Sequence, residues 1–244
     1  MSDHASPTGK SQAPALQTLF RSIAARDRSV AARLLAESPA LARQAIDIGA
    51  TRAVESAYYF AAITHYVYAG DTPLHVAAAG YETGIAEELV ARGANVNARN
   101  RRGAEPLHYA ADGIPGSEAW DPEAQSATIT CLITAGANPN ATDNSGVAPL
   151  HRAVRTRCAA AVRALLANGA DARERNKRGS TPLHLAVQNT GRGGTGTTAA
   201  REEQQEIIRL LLGHGARPSD TDAAGRSVQD CVTTDWIRAL LSQT

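Results

Sequence analysis

Asp71 to Gly80 reads DTPLHVAAAG, and the same pattern returns three times further along the chain. The later copies are AEPLHYAADG from Ala104, VAPLHRAVRT from Val147 and STPLHLAVQN from Ser180. An apolar run that ends in Gly-Ala follows each copy, at Ala94, Ala137, Ala170 and Ala216. The copies are spaced by 33, 43 and 33 residues, counted between the glycines that precede the PLH triplets, Gly70, Gly103, Gly146 and Gly179. The chain therefore repeats one unit four times with a basal period of 33 residues.

Each unit carries the start and stop signals of two helices. Thr72 and Thr181 stand where helix N-caps are expected, and a proline follows at the first helical position, where a missing N–H costs no hydrogen bond. Glu105 and Ala148 take the threonine position in the middle copies, so we expect weaker caps there. The apolar runs recur at i, i+3 and i+4, which predicts one buried stripe on each second helix. Glycines then occupy the place of a left-handed helix end: Gly93, Gly136, Gly169 and Gly215.

This unit resembles the ankyrin repeat, whose signature is a 33-residue period carrying T-P-L-H-x-A. The resemblance runs from Leu16 to about Leu241. It implies an all-α fold, an ankyrin-repeat solenoid of helix-turn-helix units with protruding finger loops. The aromatic content of 4% independently favours helices packed through small side chains. A lone helix pair cannot bury both its faces, so stacking of successive units must supply the core.

The remaining segments of the chain are assigned by aligning them with the repeat unit. We expect a disordered tail at 1–14, an N-terminal capping repeat at 15–42, a long first finger insertion at 43–69, four repeats over 70–221 and a C-terminal capping repeat at 222–244. The second and fourth repeats are longer than the others between their histidine and their final glycine. This predicts insertions near 113–122 and 190–202, both on the edge of the stack where the two helices of a unit join.

The first finger contains YYFAAITHYVY, which holds five of the chain's ten aromatic residues. Alternation from Ile63 to Tyr68 favours a strand or hairpin, whereas the preceding TRAVESAYYFAA equally suits a short helix. The aromatics either pack the finger onto the first full repeat or form a recognition surface, since tyrosine presents a large rigid face with a polar tip. Tyr66 and Tyr68 are the better candidates for partner contact.

Catalysis and cofactor binding have no visible site in the sequence. The Gly-rich stretch GRGGTGTT at 191–198 lacks the Lys-Ser/Thr ending of a phosphate loop and follows a helix rather than a strand, so we interpret it as a flexible surface loop. The four PLH histidines fall one in each unit and cannot gather around a metal ion. In ankyrin-like units this histidine is a structural hydrogen-bonding residue. We therefore predict a protein without catalytic residues, cofactor or metal.

Charge, cysteine content and hydropathy limit the location and the partners. The formal net charge of +1 excludes a globally polycationic nucleic-acid binder, and the basic segments lack interleaved stacking aromatics. No segment has the roughly 18 apolar residues of a membrane span. Three widely separated cysteines suit reduced thiols better than a disulfide framework. We expect a cytoplasmic monomer that binds neither membrane nor nucleic acid.

Basic residues concentrate in two fingers, NARNRRG at 97–103 and DARERNKRG at 171–179. A basic row predicts an acidic partner surface, although exposed arginines could equally do no more than solvate the fingers. In the ankyrin family, finger tips and the exposed ends of inner helices usually contact partners. By register, those positions are Arg101, Arg102, Asp112, Asn144, Ser145, Arg155, Thr156, Lys177, Arg178, Gln188 and Asn189.

Function is predicted to be non-catalytic binding of a protein partner through the finger tips and the concave face of the inner helices. Two alternatives remain open at this point. The protein could be a dedicated inhibitor or regulator of one enzyme, using the same surface. It could instead bind a small molecule in a pocket beside the long first finger.

Overall fold

The structure is a computed structural model that describes residues 9–51, 56–118, 120–189 and 197–242. Its α-helices are α1 Gly9–Ala24, α2 Arg28–Glu37, α3 Pro73–Ala79, α4 Thr83–Ala91, α5 Pro106–Ala111, α6 Pro122–Thr134, α7 Pro149–Arg155, α8 Ala159–Ala167, α9 Pro182–Ala186, α10 Thr198–Gly213 and α11 Asp235–Leu241. Two short strands, β1 Tyr59–Phe60 and β2 His65–Tyr66, form a hairpin in the first finger. The fold is the all-α solenoid that the repeat predicts.

The helices form two parallel rows. Consecutive members of α1, α3, α5, α7 and α9 contact one another in an inner row, and α4, α6, α8 and α10 do so in an outer row. Each PLH leucine lies fully buried between the rows, at Leu74, Leu107, Leu150 and Leu183. The predicted helix ends are also observed, since the glycines after α4, α6, α8 and α10 have φ between +84° and +100°. Small side chains and one buried stripe per helix thus make a continuous core.

The PLH histidines join each unit to the next. In all four, Nδ1 accepts the backbone N–H of the residue before the proline, at 3.1–3.3 Å. Nε2 therefore carries the ring proton, and it donates to a backbone carbonyl of the following unit at 3.0–3.3 Å. These carbonyls belong to Ala104, Val147, Ser180 and Arg226. The histidines are the structural hydrogen-bonding residues that the resemblance implies.

Thr72 and Thr181 occupy the N-cap positions that the sequence predicts. Their hydroxyls lie against the imidazole Nδ1 of the histidine three residues on, at 3.0 and 2.9 Å. Glu105 and Ala148 lack this hydroxyl contact, yet their amides make the same bond to histidine. Because the imidazole bonds the backbone N–H, it can make this bond whichever residue precedes the proline. All four helices therefore start in the same way.

The two insertions fall on one edge of the stack, and part of each lengthens an outer helix. Helices α6 and α10 have 13 and 16 residues, against 9 in α4 and α8. Residues 198–202 of the second predicted insertion are helical, while residues 190–196, which include most of the predicted flexible loop, lie outside the described residues. In both repeats a buried glutamine of the outer helix donates to the last carbonyls of the inner helix. Gln125 bonds Ala110 and Asp112, and Gln204 bonds Ala186 and Gln188.

The N-terminal unit is longer than the sequence predicts. Helix α1 begins at Gly9, so residues 9–14 of the predicted disordered tail are helical, and residues 1–8 lie outside the described residues. Buried Leu16, Leu19, Phe20 and Ile23 anchor the helix to the core.

The first finger is a hairpin with 3₁₀ turns rather than a helix. Strand β1 pairs with β2 in the register Tyr59–Tyr66 and Phe60–His65, around a 3₁₀ turn at Ala61–Ile63. The helical alternative is limited to a 3₁₀ turn at Ser56–Tyr58, and residues 52–55 lie outside the described residues. Buried Ile63 and Val67 hold the hairpin against the stack. Gly49 allows the chain to pass the backbone of Ala69, because a Cβ there would lie 2.4 Å from the Ala69 nitrogen.

The C-terminal unit replaces the Thr-Pro start by Ser-Val and keeps the register. Val228 is fully buried, and Arg226 offers the carbonyl that receives the last imidazole proton. Helix α11 covers the end of the core with Ile237, Leu240 and Leu241.

The histidine contacts predict a fall in stability as the pH drops below about 6.5. Burial lowers the pKa values of His75 and His151, and lowers the pKa of His108 to about 4. Unfolded histidine titrates near 6.5, so between about pH 6.5 and pH 4 the unfolded chain binds protons that the native chain does not. For His108 alone the free energy of unfolding should fall by about 2 kcal/mol between pH 7 and pH 5, at about 1.4 kcal/mol per pKa unit. Glu105, whose pKa burial raises, opposes this trend.

Urea unfolding followed by circular dichroism at pH 7, 6 and 5 measures the effect. The His108→Gln variant should show a shallower dependence of unfolding free energy on pH than the wild type. His214→Gln, at an exposed histidine, is the matched control and should keep the wild-type dependence. Equal slopes for wild type and His108→Gln would contradict a neutral imidazole at this position.

Candidate functional site

The finger tips stack into one row through their backbones. The N–H of Arg101 donates to Ala69, that of Asn144 to Arg102, that of Lys177 to Ser145 and that of Ala223 to Arg178, at 2.8–3.2 Å. The six tip positions selected from the sequence are all exposed and belong to this row: Arg101, Arg102, Asn144, Ser145, Lys177 and Arg178. The structure therefore brings them onto one edge of the concave face.

Two of the four cationic side chains at the finger tips contact the first finger. Among the described residues, no carboxylate lies within 4.0 Å of the charged groups of Arg101, Arg102, Lys177 or Arg178. Arg101 and Arg102 nevertheless stack on the ring of Tyr68, with the guanidinium carbon 5.4 and 4.9 Å from the ring centroid. Arg102 also donates to the Tyr68 hydroxyl at 3.0 Å, and Arg101 donates to the Ala50 carbonyl. The first finger thus orients the first two cations.

Other arginines of the basic fingers are used within the protein. Arg99 pairs with Glu105 at 3.5 Å, and Arg173 pairs with Asp220 at 2.6 Å. Arg175 donates to the carbonyls of Gly179 and Thr221. These three side chains brace neighbouring fingers, so the basic row available to a partner is shorter than the sequence alone suggests.

Aromatic residues of the first finger divide between packing and surface. Phe60 and Tyr68 pack against the core, whereas Tyr59 is 41% exposed and its ring lies 4.8 Å from that of Tyr66 across the hairpin. Tyr66 and Tyr68 are half-buried and both face a cavity on the concave side. Both interpretations of the aromatic cluster therefore apply, to different members.

The inner-helix ends selected from the sequence have unequal exposure. Arg155, Gln188 and Asn189 are exposed. Thr156 is half-buried, and its hydroxyl donates to the Arg152 carbonyl at 3.0 Å. Asp112 is half-buried, and its carboxylate forms an ion pair with Arg152.

Arg152, which sequence reasoning did not select, holds two carboxylates on the concave side. Its guanidinium lies 2.9 Å from Asp112 at the end of α5 and 3.1 Å from Asp143 in the next finger. Only 7% of the residue is exposed. The pKa of Asp143 is lowered below its usual value, because the N–H groups of Ser145 and Val147 and the Arg152 guanidinium outweigh burial. Arg152 thus fixes the second repeat to the third by charge.

A second buried polar group fixes the first finger. The Asp71 carboxylate accepts the Tyr68 N–H at 2.6 Å, the Asn100 side-chain amide at 2.8 Å and the Tyr109 hydroxyl at 2.8 Å. Burial and Asp71 raise the pKa of Tyr109, so the phenol remains a donor. His65 packs 4.2 Å from the Tyr109 ring, and burial lowers its pKa. Asp71 therefore sets where the hairpin stands above the inner helices.

A cavity of about 200 Å³ opens between the hairpin, the tips and the inner-helix ends. Six of the site residues selected from the sequence line it: Tyr66, Tyr68, Arg102, Asp112, Ser145 and Arg155. A larger groove of about 720 Å³ lies on the insertion edge, where Trp120 of the first insertion faces Ala200 at the start of α10. Arg155 borders both.

Sequence reasoning missed His65, Asp71, Tyr109, Asp143 and Arg152. One signal could have found two of them. Tyr109 and Arg152 occupy the position after the PLH histidine, where the other repeats carry Val76 and Leu185. A large polar residue at this position of the repeat indicates a side chain on the concave surface.

Comparison with known protein families agrees with the architecture. A model described as ankyrin repeats (3 copies) matches residues 122–222, and a model of the single ankyrin repeat matches residues 69–101. Together these matches cover more than half of the chain. The chain belongs to the ankyrin-repeat family, whose repeats are generally protein–protein interaction modules. No curated protein sequence matches this chain.

Among the residues that the structure describes, no group of three or more histidine, cysteine, aspartate or glutamate side chains could hold a metal ion. None of the helices in the described ranges combines the length and the apolar character that a membrane span requires. Burial raises the pKa of the Cys158 thiol to about 11, so this cysteine is not a thiolate at neutral pH.

Removing Arg152 should destabilise the protein strongly. Arg152→Met leaves Asp112 and Asp143 without their common partner in a largely buried place, and we expect the free energy of unfolding to fall by about 3 kcal/mol. Urea unfolding at pH 7 measures this loss. Arg155→Met, at a neighbouring but 61% exposed side chain, should change stability by less than about 1 kcal/mol. A loss of similar size in both variants would contradict the role assigned to Arg152.

Proposed function

We propose that this protein binds an acidic protein partner through its finger tips and the concave face of its inner helices. The observation that carries the proposal is the row of exposed tip cations, which have no carboxylate partner within 4.0 Å among the described residues. The family's general role as an interaction module supports the same function. The protein would act without catalysis, as a cytoplasmic monomer that presents one binding face.

Charge and shape would contribute in different ways. Lys177 and Arg178 are exposed, so they would act over distance, raising the association rate and orienting the partner. Arg101, Arg102 and Asn144 would make shorter-range contacts beside Tyr68. Gln188, Asn189 and Thr156 would border the interface at the inner-helix ends. The dedicated inhibitor or regulator of one enzyme is a special case of this function, because it would use the same face.

Charge reversal at the tips tests the proposal. Lys177→Glu/Arg178→Glu reverses the charge of two exposed tip residues. Arg33→Glu/Arg209→Glu, at exposed arginines on the outer helices α2 and α10, changes the net charge equally and is the matched control. A partner captured from lysate of the source cells is identified and purified, and its association rate is then measured by biolayer interferometry at low salt.

We expect the tip variant to associate about tenfold more slowly than the wild type, and the difference to shrink as salt is added. The outer-helix variant should keep a rate close to that of the wild type. Equal slowing in both variants would mean that only net charge matters, which would refute binding through the tips. Circular dichroism of all three proteins confirms that each is folded.

A further inference from the structure

The cavity beside the first finger is lined by residues from three parts of the fold. The hairpin contributes Thr64, His65 and Tyr66, the tips contribute Arg102 and Ser145, and the inner-helix ends contribute Asp112 and Arg155. Its volume of about 200 Å³ is below the roughly 300 Å³ that is typical of pockets for drug-sized ligands, and it leaves room for one polar side chain.

The charged groups that line the cavity do not cancel. Three guanidinium groups, those of Arg102, Arg152 and Arg155, face it with two carboxylates, those of Asp112 and Asp143. Arg152 bonds both carboxylates through its two terminal nitrogens, so its charge is already balanced by them. One positive charge therefore remains, on the side of Arg102 and Arg155. A single positive charge suits a monoanion better than a doubly charged phosphate.

Arg102 lines the cavity from a finger tip and Arg155 from the end of α7, and both side chains are partly open to solvent. Arg102 is exposed and bonds the Tyr68 hydroxyl. Arg155 is 61% exposed and lies 3.6 Å from Asp112, beyond hydrogen-bonding distance. Among the described residues, Arg102 uses only Nη1 for a hydrogen bond, so each guanidinium keeps N–H groups for a ligand while Arg102 remains on Tyr68. A guanidinium fork matches the planar geometry of a carboxylate.

We propose that the cavity is a socket for one carboxylate group, held between Arg102 and Arg155. The inference rests on the proposed function, and it assigns the carboxylate to an aspartate or glutamate side chain of the partner. That side chain enters the socket while the outer tips face the surrounding acidic surface. Asp71 and Arg152 hold the walls in place before binding, so the partner does not have to order them.

Binding of N-acetylglutamate N-methylamide, which carries one carboxylate as a glutamate residue does, tests the socket directly. The compound is titrated into the full chain at constant ionic strength, and ¹H–¹⁵N spectra follow the Ser145 amide and the Arg102 and Arg155 Nε–H signals. We expect saturable shifts of these signals. The neutral analogue N-acetylglutamine N-methylamide should produce none.

Variants locate the site. Arg102→Gln and Arg155→Gln should each weaken binding of the compound by roughly tenfold, which corresponds to the loss of one charge-assisted hydrogen bond. Arg209→Gln, an equal change on the outer helix α10, should bind as the wild type does. Absence of saturable shifts, equal binding of the neutral analogue or full binding by Arg155→Gln would each overturn the socket.

Partner binding separates this inference from the function on which it rests. If the compound binds and Arg155→Gln makes the partner dissociate faster, the partner's side chain occupies the socket. If the compound binds but partner dissociation is unchanged, the socket takes a free carboxylate, and the assignment to the partner is wrong. If the compound does not bind while Lys177→Glu/Arg178→Glu still slows association, the socket fails and the proposed function stands.

Discussion

The neutral imidazole of the PLH triplet is the contact on which the stack depends. One ring nitrogen accepts the amide that opens its own helix, and the other donates to a carbonyl of the next unit. Both backbone groups are buried, and either one left unpaired would cost about 1–3 kcal/mol. Repeated at His75, His108, His151 and His184, the contact sets one spacing for successive units. The tips and inner-helix ends line up on one face because of that spacing.

Buried polar groups then give the concave face its particular shape. The inner helices are rich in alanine, so few large apolar side chains are present to define a surface. Asp71 instead fixes the hairpin through Tyr68, Asn100 and Tyr109, and Arg152 joins Asp112 to Asp143. Each such group is expensive to bury and is tolerated because it is almost fully hydrogen-bonded. These contacts hold the walls of the cavity beside the hairpin in place.

The sequence predicts those parts of the fold that depend on local signals. The repeat period, the helix starts at proline, the left-handed glycines and the edge that receives both insertions follow from residues close together in the chain. Side-chain pairing does not, because it depends on which side chains the folded units bring together. Arg99 and Arg173 look like free cations in sequence and are paired in the fold. Gln125 and Gln204 show their capping role only once the inner helices end beside them.

The sequence predicted the exposed residues of the site and missed its buried side-chain contacts, because only the former depend on local signals. Register within the repeat selects the tip residues, whose exposure depends only on their place in the unit. The Arg152 ion pairs and the Asp71 network could not be selected this way, since both join residues about 10 to 40 positions apart through side chains.

The finger tips are joined to one another by main-chain hydrogen bonds, from Asn144 to Arg102, from Lys177 to Ser145 and from Ala223 to Arg178. These bonds depend on the backbone conformation of the fingers and do not involve the side chains of the tip residues. A substitution of a tip side chain by any residue other than proline leaves these bonds in place, while it alters the face offered to other molecules. The same frame can therefore carry different recognition surfaces.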